Sequence, residues 1–210
     1  MKMLFLQILV NLCVAYAATT QSITTDEQQP LVHIDSMATP ETALRVPGTN
    51  NATYGPVPKA EQIFEVEFLE IAPSPIPVDQ IFFVWLRGQI LPSRVTALDT
   101  LNDADLANAT LAISLSAVYP DGYRDEPTTY TVPLRTKAYA ELAHIAVRNA
   151  TGANVDHLTI SGANDILADM LILRQFLRTG EWTFEIVAKL ADGTCLFAMS
   201  LTQWLKGDLH

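Results

Sequence analysis

The sequence predicts a mainly β protein, an antiparallel β-sandwich with one helix near 164–178. Three observations lead there. Short apolar runs alternate with period two, proline- and glycine-rich stretches punctuate them, and one segment alone carries a clean helical period. Of 210 residues, 49% are hydrophobic and 17% charged, enough apolar content for a single domain with a real core and too much for a disordered chain.

The elements follow in chain order. Residues 1–17 read as a secretory signal: Lys2 is the basic start, Met3 to Val14 the apolar stretch broken only by Gln7 and Asn11, and Ala15-Tyr16-Ala17 the small-x-small cleavage site. The run is too short and too interrupted for a bilayer span, which needs about 20 apolar residues. Residues 18–60 are rich in Thr, Gln, Asn and Pro (30, 40, 47, 56, 58) and read as a flexible extension, a propeptide or a spacer, with a short ordered piece at Leu31–Ile34. The sandwich domain is expected over 61–206. Phe64, Val66 and Phe68 alternate with Glu65 and Glu67 as a half-buried strand, ended by Pro73-Ser-Pro75-Ile-Pro77. Gln80–Leu91 is a second strand, with Phe82, Val84, Leu86 and Ile90 inward and Phe83, Trp85, Arg87 and Gln89 outward.

Thr110–Tyr119 is a third strand, and Pro120-Asp121-Gly122 a turn. Tyr123–Leu134 returns along an edge, because it contains Pro127. Tyr139–Val147 fits helix or strand equally. Over Asn164–Leu177, Ile166, Met170, Leu173 and Leu177 recur at helical spacing, with Asn164 or Asp165 as cap and Gly180 as stop; a buried strand at Leu171–Leu177 competes. The clearest element is last: Trp182, Phe184, Ile186, Ala188 and Leu190 alternate with polar neighbours, Asp192-Gly193 turns, and Cys195–Trp204 returns as the second strand of a hairpin.

Composition excludes some functions. With Lys+Arg 13 against Asp+Glu 23, net charge −10 and pI near 4.7, nothing favours nucleic acid or an anionic membrane. Signal cleavage leaves Cys195 as the one cysteine, too few for a disulfide framework or a thiolate zinc site, and its apolar neighbours point to burial. The sequons at Asn51, Asn108 and Asn149 lie in loops or at loop edges and fit a glycosylated, exported chain.

Two segments resemble a known family. Leu69-Glu-Ile-Ala-Pro-Ser-Pro-Ile-Pro-Val-Asp-Gln80, running into the strand from Ile81, is similar to the first strand pair of ML-type lipid-recognition domains. Gly180-Glu-Trp-Thr-Phe-Glu-Ile-Val-Ala-Lys-Leu-Ala-Asp-Gly-Thr-Cys-Leu-Phe197 looks like their closing hairpin. That family includes Niemann–Pick type C sterol carriers, group 2 mite allergens and fungal phosphatidylglycerol/phosphatidylinositol transfer proteins. The resemblance implies an immunoglobulin-like sandwich whose sheets part to admit a lipid or sterol. Such domains usually hold several disulfides, whereas Cys195, placed like a family half-cystine, has no mate here.

The lining such a site needs is large, apolar and uncharged. Its candidates are Phe64, Val66, Phe68, Phe82, Val84, Leu86, Leu111, Ile113, Leu115, Trp182, Phe184, Ile186, Phe197 and Met199. A solid sandwich fills its core the same way, so pattern alone leaves both open. The outward Phe83 and Trp85 fit a cavity mouth or a partner surface, although packing of a helix over 164–177 on that face is the favoured reading. Arg174 and Arg178 read as solvated helix-end charges rather than a phosphate site. No nucleophile elbow, zinc motif, phosphate loop or dinucleotide fingerprint occurs. His33, His144, His157 and His210 are too dispersed for a metal site, and Asp99, Asp103 and Asp105 lack the glycine and glutamate of a calcium loop. The expectation is therefore an exported, monomeric, cofactor-free binder of a lipid, sterol or other apolar molecule. A protein-interaction module with a solid core is the runner-up.

Overall fold

The period-two runs become strands of two antiparallel sheets packed face to face. The computed structural model describes residues 44–91, 101–140 and 143–209. The expected signal, the piece at Leu31–Ile34, Asp99, His33 and His210 lie outside them. In chain order the elements are β1 (Thr53–Tyr54), β2 (Phe64–Ala72), β3 (Ile81–Ile90), α1 (Asp103–Ala107), β4 (Thr110–Val118), β5 (Thr128–Pro133), β6 (Lys137–Ala140), β7 (Ala143–Arg148), β8 (Asn154–Val155), β9 (Ala163–Leu171), β10 (Gly180–Lys189) and β11 (Cys195–Leu205). One sheet runs β1-β11-β10-β4-β5, the other β2-β3-β9-β7-β6, with β8 also on β7.

The hairpin β10–β11 forms as its sequence dictates. Gly193 takes φ +92°, a conformation that L side chains resist, and the Asp192 carboxylate accepts the Thr194 backbone N–H at 2.8 Å. That bond holds the Asp192 carboxyl below its usual range. β5 starts immediately after Pro127 and lies at a sheet edge, as proline requires. The segment 139–147, ambiguous in sequence, pairs as β6 and β7.

Two expectations need correction. The first is the helix near 164–178. Residues 163–171 form β9 instead, paired with β3 on one side and β7 on the other. Ile166, Ala168 and Met170 satisfy period two as well as Ile166 and Met170 satisfy the helical period, so tertiary pairing decides. On a helix, Asp165 and Asp169 would be like charges four residues apart. In the sheet each meets a partner: Asp165 lies 3.5 Å from Arg87, and Asp169 2.9 Å from His144. Asn164 does not cap a helix. Fully buried, it accepts from the Thr159 N–H at 2.8 Å and donates to the Thr159 carbonyl at 2.9 Å, pinning the preceding loop.

The second correction concerns Phe68. β2 shifts register between Val66 and Phe68, a bulge with Gly88 and Arg87 as the facing residues on β3. The extra residue exchanges the faces, so Leu69 and Ile71 point inward and Phe68 outward. Gly88 permits the crowding there, since a Cβ on it would come within 2.2 Å of the Glu65 carbonyl oxygen.

The fold also reaches further toward the N-terminus than the expected start near Glu61. β1 pairs with β11, and Val46 and Ala52 enter the core. Residues 47–50 lie along the edge of β2: Pro47 and Thr49 carbonyls accept the Leu69 and Ile71 N–H groups at 2.7 and 3.3 Å. Buried Asn50 donates to the Leu69 carbonyl at 2.9 Å and accepts the Ala52 N–H at 2.8 Å. Asn50→Ala leaves those partners without bonds and should cost about 1–3 kcal/mol of stability in urea denaturation. An unchanged midpoint would show that this segment does not seal the edge.

Candidate functional site

The ladder registers place the expected lining residues on two opposed inner faces. On the five-stranded sheet, Leu111–Ala188–Phe197, Ile113–Ile186–Met199 and Leu115–Phe184–Leu201 align across β4, β10 and β11, with Trp182 next along β10. Facing them are Phe64, Val66, Leu69 and Ile71 of β2, Phe82, Val84 and Leu86 of β3, and Ile166, Ala168 and Met170 of β9.

Burial across this interior is uneven. Where β11 lies over β2, Phe64, Val66, Leu69, Phe197, Met199 and Leu201 are buried, and the Phe64 and Phe197 rings meet at 5.5 Å. Further across, Val84, Ala168 and Met170 on one sheet and Ile113, Leu115, Phe184 and Ile186 on the other are only half-buried. So are their outward-facing neighbours Ala112, Ser114, Thr183 and Glu185. Yet β9 and β10 are the middle strands of their sheets. In a sandwich filled to native density, inner positions on middle strands are the deepest of all. These seven apolar side chains on β3, β9, β4 and β10 keep partial access to solvent, while Val84, Ala168, Met170, Ile113 and Ile186 also pack against the large buried cluster. The buried residues separate into two clusters. The small one, Val78, Leu177 and Leu205, closes the base, with Phe184 and Trp182 packed on it and Ile172 touching both clusters.

Of the expected lining, Val84, Ile113, Leu115, Phe184 and Ile186 are half-buried. Phe64, Val66, Phe82, Leu86, Leu111, Phe197 and Met199 belong to the sealed core. Trp182 is tied to the base, its indole N–H donating to the Arg178 carbonyl at 3.1 Å. Ala168 and Met170 were missed because their segment reads as a helix; the alternation Ile166–Ala168–Met170 is the signal that finds them.

The outer face of the six-stranded sheet is the second feature. Ile81, Phe83 and Trp85 are 40%, 57% and 38% exposed along one side of β3, and no described helix covers them. Phe68 meets Trp85 edge to face at 4.8 Å, and the Trp85 indole N–H donates to Asp165 at 3.0 Å. Arg87 lies between Glu67 at 3.2 Å and Asp165 at 3.5 Å.

The polar groups are engaged in structure. Arg174 pairs with Asp79 at 3.3 Å. Arg178 stacks on Tyr119 at 4.3 Å and donates to Asp121 at 2.6 Å, which with the Tyr123 N–H holds the Asp121 carboxyl low. Burial and the hydrogen bond to Asp125 push the Tyr119 phenol well up. Beside Arg178, a shallow open pocket of about 360 Å³ is lined by Pro120, Asp121, Thr179, Gly207 and Leu209. Asp105 and Asn102 form a capping box on α1, while His157 bridges Asp103 at 3.1 Å and Asp156 at 3.4 Å. Among the described residues no three metal-ligating side chains come together. No described helix is long and apolar enough to cross a membrane. Asn51 and Asn108 are exposed; Asn149 is half-buried, its side-chain carbonyl accepting from Thr151 and Ala153.

No family model matches the chain, and no curated protein matches its sequence.

Cys195 is buried and free, and burial raises its thiol to about 11. The thiolate is the reactive form, so the native protein should resist iodoacetamide at pH 8 and react on unfolding. Rapid alkylation of the folded protein would contradict this placement.

Proposed function

We propose that this chain is an exported, monomeric carrier that holds a lipid, sterol or similar apolar molecule between its two sheets and does no chemistry on it. The observation that carries the reading is the solvent access of Val84, Ala168, Met170, Ile113, Leu115, Phe184 and Ile186, inward-facing side chains on or beside the middle strands. A hydrocarbon chain or ring system lodged there would replace water on apolar walls, at about 25 cal/mol per Å² removed from water. No charged residue stands among these seven, so the proposed site offers no group that would reject such a ligand. The resemblance of Leu69–Gln80 and Gly180–Phe197 to ML-type domains supports the same reading, as do the signal-like start and the sequons for export through a glycosylating pathway.

The alternative, an interaction module with a solid core, has the exposed Phe83 and Trp85 in its favour, and that surface is compatible with a carrier as well.

Filling the proposed site separates a cavity from a packed core. Ala168 lies at its centre, opposite Val84 and Ile145 in the ladder. In the carrier, Ala168→Leu occupies ligand space and should leave thermal stability unchanged or raised. Binding of a fluorescent fatty acid or dehydroergosterol should weaken by about tenfold or more, a loss of roughly 1.4 kcal/mol. In a solid core the same change overpacks and costs about 1–3 kcal/mol of stability. A destabilised variant, with a wild type that binds neither probe, would end the carrier reading.

A further inference from the structure

We infer that the outer face of the six-stranded sheet is a docking surface for a cationic protein segment, one that presents arginine or lysine side chains to the rings of Phe83 and Trp85. The inference does not depend on what occupies the interior. Phe83 and Trp85 point the same way from β3, about 7 Å apart at the usual strand rise, and are 57% and 38% exposed. Trp85 is held in place, its indole N–H on Asp165 at 3.0 Å and its ring against Phe68 at 4.8 Å, so its open side is presented with little freedom left to lose. Leu167, directly across from Trp85 on β9, continues the apolar floor.

Charge selects the occupant. The same face carries Glu65, Glu67, Glu70, Asp165 and Asp169 against Arg87, Arg148, His144 and Lys59, which pairs with Glu65 at 3.7 Å. Arg87 is already held by Glu67 and Asp165, and His144 by Asp169. Glu70, the ladder partner of Trp85, is exposed and makes no ion pair among the described residues. An exposed indole with an unpaired carboxylate beside it is complementary to a guanidinium or ammonium, which the ring attracts through its face and the carboxylate through its charge. The net charge of −10 steers a basic partner toward the molecule and repels an acidic one.

The test uses the intact protein and a short fluorescein-labelled peptide of alternating arginine and glycine, read by fluorescence anisotropy at moderate salt. An equivalent glutamate–glycine peptide is the control. The arginine peptide should bind and the glutamate peptide should not. Trp85→Ser, Phe83→Ser and Glu70→Lys should each weaken binding by about tenfold. Glu185→Lys, the same change of charge on the outer face of the other sheet, should leave affinity within about twofold. Unfolding curves of Phe83→Ser and Glu70→Lys, both at exposed positions, verify that the fold is retained. Equal losses from Glu185→Lys and Glu70→Lys would reduce the effect to net charge and overturn the inference, as would full affinity in both ring variants. A concentration-dependent dimer that Phe83→Ser dissociates would also overturn it, in favour of a second copy as the occupant.

Discussion

The two sheets are tied to each other along one flank, where β11 lies over β2, and that tie arranges the rest of the molecule. The Ile63 N–H donates to the Cys195 carbonyl at 3.0 Å, and Gln62 donates to the Ala198 carbonyl at 3.1 Å. Lower on the same flank, Gln203 of β11 accepts the Ile76 N–H at 3.0 Å and donates to the Ile76 carbonyl at 2.9 Å. Gln62 and Gln203 are buried, so breaking either link leaves a buried polar group short of a hydrogen bond, a cost of about 1–3 kcal/mol. Between these links the Phe64–Phe197 contact and Leu69 fill the space between the sheets. Asn50 and residues 47–49 then cover the outer edge of β2.

A sandwich fastened along one flank need not be filled across its width. Away from the tie, α1, the 134–136 segment and the 156–160 loop bury Leu106, Leu134 and Leu158 at one end of the sheets, and Val78, Leu177 and Leu205 close the other. Between these ends the inner side chains of β4, β9 and β10 keep contact with solvent. The proposed carrier rests on that division: the fully buried part of the core supplies stability, and the half-buried part would accept the guest. The β2 bulge has the opposite consequence outside. By turning Phe68 outward it gives the exposed Trp85 an aromatic neighbour.

The parts legible in the sequence were those governed by local chemistry. Asp192-Gly193 sets its turn through its own backbone and side-chain bond, Pro127 marks an edge, and alternation from Trp182 to Leu190 orients a strand whatever surrounds it. The parts that misled depended on partners remote in the chain. Asn164–Leu171 carries both periods, and Arg87 and His144 on neighbouring strands, paired with Asp165 and Asp169, favour the extended form. Glu67 is the extra residue of a bulge beside the Val66–Gly88 pair; the hint lay in the shift of apolar positions from Phe64 and Val66 to Leu69 and Ile71. Which strand residues face inward was readable, Phe68 excepted. How deeply each is buried was not, because that depends on how far apart two sheets are held, and no residue encodes that by itself.

Native mass spectrometry of the purified protein, followed by organic extraction, tests the proposed carrier role most directly. A carrier should show a stoichiometric mass increment that disappears on denaturation, with a lipid or sterol of matching mass in the extract. A clean apo mass, together with failure to take up added fatty acid, sterol or phospholipid, would contradict the account and leave the outer face of the sheet as the working surface.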